Sequence, residues 1–276
     1  MTHMIYVVPS LKAKEKLQCE GKAWAESQGF AYVPRGKRTI QDLMDEYGED
    51  FLVYSSRGPQ IDRPEGSHFF SLNMAELRIQ NLRKGQRDHL LEALMGVKEY
   101  DLRPAAAQPP ISVLDCTCGF GADAAVASFG LLAGSRVDAL EVSPLLEAVT
   151  AWGFSHFVHK KDDVTAALRR ISLRCGDYRD YLLSDEGPVY DVLYFDPMFQ
   201  RPVEASCQFQ PVRAIMEHGG LTRDLIERAL QKARRRVVIK ERDFRQLCRD
   251  FPDVTLYGGK YSRIGYAVLE CDSWKK

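Results

Sequence analysis

The chain has 276 residues, enough for one α/β domain with a smaller appended unit, and its 38 basic residues balance 38 acidic ones. A content of 45% hydrophobic and 28% charged residues excludes a disordered or fibrous protein, and zero net charge leaves no general basic coat for nucleic acid. No apolar run approaches the roughly 20 residues that span a bilayer, and Met1 to Tyr6 carry no basic-then-apolar leader, so no membrane partner and a cytoplasmic location are expected.

Residues 1–70 read as a small N-terminal α/β subdomain. Ile5 to Val8, Phe30 to Val33 and Phe51 to Tyr54 have strand character, Leu11 to Gln28 that of a helix, and Thr39 to Asp42 resembles a helix start. The stretch Arg57-Gly58-Pro59-Gln60 punctuates its end. Residues 71–110 form a helical connection, with a helix over Asn73 to Val97 broken at Gly85, and a linker from Pro104 to Pro110. From 111 to 276 strands and helices alternate. Strands are expected at 111–115, 136–141, 171–175, 189–195 and 236–240, with two late ones at 254–257 and 261–269, and helices near 121–130, 144–158 and 221–234. This order predicts a largely parallel sheet covered on both faces. Seven cysteines without a Cys-x-x-Cys pair argue against a disulfide framework or a zinc site. Cys116, Cys118 and Cys175 fall at strand ends and are expected to be small buried packing residues.

The first strand of the larger domain ends in Asp115-Cys116-Thr117-Cys118-Gly119-Phe120-Gly121-Ala122-Asp123. Glycines let a backbone approach a ligand closely, and the carboxyl edge of a parallel sheet is where such folds bind ligands. Read alone, Gly119-x-Gly121 is weak evidence and is also compatible with a tight turn that binds nothing. It is neither a full dinucleotide fingerprint, since Ala124 stands where the third glycine belongs, nor a P-loop. Two further acids end the next strands. Glu141 is placed to accept from both hydroxyls of a ribose, and Asp177 from an adenine amino group, while Asp115 stands near where an ammonium would lie. Three carboxylates in this pattern suit a cationic nucleoside and would repel a pyrophosphate. S-adenosylmethionine is the expected cofactor, and no metal is needed.

The fourth strand ends Tyr194-Phe195-Asp196-Pro197-Met198-Phe199. This resembles the Asp/Asn/Ser-Pro-Pro-Tyr/Phe signature of amino-methyltransferases, with Met198 in the second proline position. An exocyclic amine is a poor nucleophile because its lone pair is delocalised into the ring. Bonds from its two N–H groups to the Asp196 carboxylate and the Pro197 carbonyl would aim that lone pair, and Phe199 would stack on the base. Asp196, Pro197 and Phe199 are therefore the candidate catalytic residues.

Together with Leu140-Glu141-x-x-Pro144 and Val238-x-Lys240, these motifs resemble the small-subunit ribosomal RNA guanine-N2 methyltransferase J family. The looser match takes in Met74-Ala75-x-x-Arg78, Gly85-x-Arg87-Asp88, Lys260 and Arg263, and so covers most of 70–270. The resemblance implies a Rossmann-like class I methyltransferase sheet, S-adenosylmethionine as donor, and guanine N2 in 16S ribosomal RNA as target, with ribosomal RNA or the small subunit as partner. It implies donor contacts at Ala122, Asp123, Glu141, Val142, Asp177, Tyr178 and Asp196, beside Asp115, Thr117, Gly119 and Gly121 of the loop. The chain departs from the family at Ala122, at Gly176-Asp177 and at Gln200. Adenine-N6 or protein-glutamine methylation with the same tetrapeptide stays open, as does an RNA-binding module without turnover. Arg35, Lys37, Arg38, Arg78, Arg83, Lys84, Arg87 and Arg201 are candidates for a phosphate-binding face, and Arg234 to Arg236 for a helix-dipole contact. Lys240 is read either as pocket lining or as a structural ion pair.

Overall fold

A computed structural model describes residues 4–98, 109–197, 220–258 and 264–272. In chain order it contains β1 (Tyr6–Pro9), α1 (Glu15–Ser27), β2 (Ala31–Tyr32), α2 (Ile40–Tyr47), β3 (Phe51–Ser55), β4 (Gly58–Arg63) and β5 (Gly66–Phe69). There follow α3 (Asn73–Arg83), α4 (His89–Met95), β6 (Ser112–Asp115), α5 (Ala122–Gly130), β7 (Arg136–Glu141), α6 (Pro144–His156) and α7 (Asp162–Leu168). Then come β8 (Ile171–Cys175), α8 (Tyr178–Leu183), β9 (Val192–Phe195), α9 (Arg223–Lys232), β10 (Arg236–Glu241), α10 (Arg245–Asp250), β11 (Thr255–Gly258) and β12 (Gly265–Glu270). They form two compact units. One takes in the first 71 residues with Ser143–Phe157, and so includes α6; the other holds the remaining described elements.

The smaller unit is built on a five-stranded sheet in the order β2-β1-β3-β4-β5. β1 runs parallel to β2 and β3, and β3, β4 and β5 form an antiparallel meander. The capping box at α2 is present: Thr39 accepts from the Asp42 N–H and Asp42 accepts from the Thr39 N–H, satisfying donors that the first turn would leave orphaned. α1 begins at Glu15, four residues later than the pattern suggested. The stretch read as a terminator, Arg57 to Gln60, instead leads into β4. Its polar letters conceal a buried strand in which Gln60 Nε2 donates to both Asp62 carboxylate oxygens at 2.8 and 2.9 Å.

The larger unit carries a seven-stranded sheet, β11-β12-β10-β9-β6-β7-β8, in which only β12 runs antiparallel to its neighbours. β9 and its neighbours are buried along nearly their whole length, which gives the continuous apolar runs of a doubly covered parallel sheet. From β6 the chain winds outward through β7 to β8, then returns to β9 on the other side of β6. The crevice beyond the carboxyl ends of β6 and β9 is the topological switch point, where sheets of this kind bind ligands. Gly85, at φ 75°, separates α3 from α4 as expected. Cys116 and Cys118 are buried, but Cys175 is exposed, at the end of β8, an edge strand. The short helices α7, α8 and α10 were not foreseen. The linker residues 104–108 lie outside the described residues.

Candidate active site

The loop after β6 is built by hydrogen bonds to its neighbours. Asp115 closes β6 and is buried; its Oδ1 accepts the Thr117 N–H at 3.1 Å. Burial pushes its carboxyl well above the usual range, the Thr117 N–H opposes this, and the charges of Asp123 and Asp196 add to it. The Cys118 N–H donates to the Leu140 carbonyl and the Gly119 N–H to Glu141 Oε2, both at 2.9 Å, so the loop is pinned to the end of β7. Gly119 (φ 54°) and Gly121 (φ 75°) adopt the left-handed backbone this path requires, and Gly121 caps α5. Among the described residues, the nearest atom to a Cβ on Gly119 would be the Thr117 carbonyl oxygen at 3.9 Å, so the loop presents an open face to them.

At the tip of β9 the Asp196 N–H donates to Thr117 Oγ1 at 2.7 Å, which ties the two central strand ends together. Lys240, on β10, donates from Nζ to Asp196 Oδ2 at 2.7 Å and to Asp123 Oδ2 at 2.8 Å. Asp123 Oδ2 also accepts from the Tyr194 hydroxyl at 2.7 Å, and its Oδ1 from Arg78 Nη1 at 2.5 Å. Arg78 completes the network with a two-pronged bond to Asp88, at 2.8 Å on each arm. Burial raises the Asp196 carboxyl to about 6, with Asp123 adding to the rise and Lys240 restraining it. For Asp123 burial is outweighed by Lys240 and Arg78, which hold it well below the usual carboxylate range. Lys240 stays protonated because its two carboxylates overcome its own desolvation.

The remaining sequence candidates fall into two groups. Asp115, Thr117, Gly119, Gly121, Ala122, Asp123, Glu141, Val142, Asp196 and Pro197 gather at the carboxyl ends of β6, β7 and β9. Asp177 follows β8, but its carboxylate caps α8 through the Arg179 N–H at 2.8 Å and is gripped by the Arg179 guanidinium at 2.7 Å. The Tyr178 ring is buried in the core edge-on to Phe195, 5.4 Å between centroids. Phe199, with Met198, Gln200 and Arg201, lies outside the described residues. Sequence reasoning missed Tyr194 as a site residue and gave Arg78 to phosphate, although Arg78 is committed to Asp88 and Asp123. Much of the expected phosphate face is engaged likewise: Arg38 with Glu46 at 2.5 Å, Arg83 with Asp163 at 2.8 Å, and Arg87 with the buried Glu92 at 2.6 Å. Arg35 is buried, and its Nε donates to the Arg38 carbonyl. Arg235 pairs with Asp191 and Arg236 with Glu270, and Arg236 Nη1 also donates to the Leu94 carbonyl at 3.1 Å, so the helix end that it meets is the last turn of α4.

Sheet order, switch point and the glycine turn at the end of the central strand define a Rossmann-like class I methyltransferase. The sequence matches the family described as putative SAM-dependent methyltransferase over residues 76–264, and the chain belongs to that family. It is similar to ribosomal RNA small subunit methyltransferase J of Rhodopseudomonas palustris, 32% identical over 164 residues that cover 58% of this chain and 68% of that one. The same-named protein of Pseudomonas paraeruginosa is 28% identical over 220 residues, 79% of this chain and 77% of its own. Uncharacterized protein YpiP of Bacillus subtilis is 28% identical over 236 residues, covering 85% and 88%. Among solved structures, a SAM-dependent methyltransferase of Neisseria gonorrhoeae shares the fold with a TM-score of 0.62 at 18% identity, covering 97% of this chain and 96% of that one. S-adenosylmethionine is therefore the cofactor. The residues present suit it: carboxylates close the strand ends, Lys240 is neutralised between two of them, and the glycine face is open. Among the described residues no cluster of side chains could hold a metal, and no helix is long and apolar enough to cross a membrane.

Proposed function

We propose that this methyltransferase acts on the exocyclic amino group of a nucleobase, specifically guanine N2 in small-subunit ribosomal RNA, in the cytoplasm. The reading rests on one observation. Asp196 has its amide fixed on Thr117 and its Oδ2 on Lys240, which sets the carboxylate at the tip of β9. A base flipped into the site would donate one N–H to Oδ1 and the other to the Pro197 carbonyl, which fixes the nitrogen and turns its lone pair outward. When bound, S-adenosylmethionine would supply an electrophilic methyl carbon with a neutral thioether as its leaving group. As the nitrogen gains that carbon it becomes cationic. The Asp196 carboxylate stabilises the charge and accepts the released proton. Phe199 is assigned to stacking on the base from its place in the tetrapeptide.

On the donor side, Glu141 is assigned to the ribose and the loop from Asp115 to Asp123 to the amino-acid end. An adenine amine at Asp177 would compete with Arg179 for the carboxylate. The ribosomal RNA target is supported by similarity to relatives named for the small-subunit RNA, and guanine N2 by the resemblance of the sequence motifs alone.

The test combines methyl-labelled S-adenosylmethionine, the purified protein and small-subunit ribosomal RNA from cells lacking it, followed by mass spectrometry of the nucleosides. Label is expected in N2-methylguanosine. Asp196→Ala should reduce the rate by at least about 100-fold, while calorimetric affinity for the donor changes only several-fold. Label in N6-methyladenosine or in protein glutamine would overturn the target. Wild-type rates in Asp196→Ala would overturn the role of the carboxylate.

A further inference from the structure

The geometry points to Lys240 as a positioning residue: its ammonium, divided between Asp123 and Asp196, orients the Asp196 carboxylate and keeps it ionised to receive the substrate amine. This rests on the assignment of Asp196 as the amine's acceptor. Asp123 is the counterweight that decides how much of the lysine's charge Asp196 receives.

Lys240 reaches this place by sheet register. Ile239 pairs with Phe195, so the next residue on each strand brings Lys240 beside Asp196, while Lys240 itself pairs with Tyr266 on β12. The ammonium is largely buried and sits 2.7 Å from one carboxylate and 2.8 Å from the other. It cannot follow Asp196 freely, because Asp123 is anchored from the far side by Arg78 and Tyr194, and Arg78 by Asp88. The result is a rigid chain of charges running from α4 and α3 through α5 to the end of β9.

Among the described residues, the groups around Asp196 come from several neighbouring elements. Asp115 lies on β6, Asp123 on α5, Tyr194 on β9, Glu241 with Lys240 on β10, and Tyr266 on β12. Arg78 and Asp88 stand behind Asp123 on and beside α3 and α4. Asp123 and Glu241 join burial in favouring the protonated form of Asp196, and Lys240 is the cation that opposes them. The balance leaves the group near 6, ionised at neutral pH with little margin. Without the lysine, burial and Asp123 act unopposed. Without the Asp123 charge, the lysine's attraction falls on Asp196 alone. The two losses therefore have opposite signs, which a merely structural ion pair would not produce.

The experiment uses Lys240→Gln, Lys240→Arg and Asp123→Asn in the full chain. Single-turnover methyl transfer to the hypomethylated ribosomal RNA is followed from about pH 5 to 9. In parallel the Asp196 carboxyl carbon is titrated by NMR in the protein alone, its signal assigned with Asp196→Asn. In Lys240→Gln the acid limb and the NMR midpoint should rise by about one pH unit or more, with a rate loss on the order of tenfold at neutral pH that recovers at higher pH. Lys240→Arg should restore both towards wild type. Asp123→Asn should move the NMR midpoint down, and it carries the test alone if Lys240→Gln does not fold. Midpoints unmoved in Lys240→Gln, or in Asp123→Asn where that is the readable variant, would overturn the inference. A wild-type protein that transfers no methyl to RNA would sink the substrate reading only, because the NMR midpoints need no substrate.

Discussion

Thr117 holds the two sides of the site together with one oxygen. Its Oγ1 accepts the Asp196 N–H at 2.7 Å, while its own N–H donates to Asp115 at 3.1 Å. Valine has the same outline without the acceptor, so Thr117→Val would leave the Asp196 amide unpaired in a half-buried place, at a cost of about 1–3 kcal/mol. The tip of β9 would relax to find another partner, and a shift on the order of 1 Å in the carboxylate is enough to cost about 100-fold in rate. Thr117→Val is expected to slow single-turnover methyl transfer by roughly 10- to 100-fold while donor affinity changes less, and Thr117→Ser to stay within several-fold of wild type. Equal rates for valine and threonine would show that this bond positions nothing. Asp115 and Asp196 were legible in the sequence because each closes an apolar run, and Glu141 and Asp177 because each stands at or just past a recognisable strand. The ties among them were not, since Tyr194, Lys240 and Arg78 meet Asp123 from 71, 117 and 45 positions away. Nor could spacing reveal that Arg179, two residues on, already occupies Asp177.

At the scale of elements, α6 approaches its neighbours so closely that one hydrogen decides the fit. A Cβ on Gly153 would fall inside the Phe70 ring. That ring is buried and packed edge-on against Phe154 and Phe157, at 5.7 and 5.5 Å, so it has no room to retreat. Helix propensity favours alanine over glycine by about 1 kcal/mol, but overpacking a filled site costs about 1–3 kcal/mol or more, and here the intruding atom meets a rigid ring. Gly153→Ala should therefore destabilise the protein in urea unfolding by about 1–2 kcal/mol, and the added change Phe70→Leu should return part of the loss. A stabilised alanine variant would mean that the ring yields. Sequence pattern made Arg136–Glu141 and Ile171–Cys175 legible to the residue although neither is an uninterrupted apolar run: β7 carries Asp138 in its buried middle, and β8, at the sheet edge, is buried only at Ile171. It failed at β4, whose Gln60, Asp62 and Arg63 are buried polar residues that satisfy one another or the backbone. It also passed over α7, α8 and α10, which have seven residues or fewer and so are too short for a helical repeat to register.

For the molecule as a whole, exposed pairs such as Lys16–Glu20 and Arg228–Asp224 contribute little to stability, so its response to pH is set by groups held away from water. Asp196, raised to about 6, binds its proton more tightly folded than unfolded. Stability from this group therefore increases as pH falls from about 6 towards its unfolded value near 4, and at neutral pH its charge is a cost. His68 acts in the opposite direction: burial lowers it to about 4, so stability is lost as pH falls from its unfolded value near 6.5. Asp123, held well below the usual carboxylate range, keeps contributing until the solution is strongly acidic. Asp196→Asn removes the first of these and leaves His68 as it is; Asp123, no longer sharing Lys240 with a second charge, is held lower still, which matters only in strongly acidic solution, and the amide oxygen can still accept from Lys240. The variant is expected to melt above wild type at about pH 7.5, by about 2–4 °C for each kcal/mol relieved. The two melting curves should converge near pH 4, where the wild-type carboxyl is itself neutral. Between those limits the variant should lose stability more steeply, because the His68 contribution is no longer offset. Thermal melts at about pH 7.5, 5.5 and 4 would check this. An asparagine variant that melts at or below wild type at pH 7.5 would mean that the pair with Lys240 more than offsets the cost of burying the charge, and that the acceptor at the tip of β9 is held there without loss of stability.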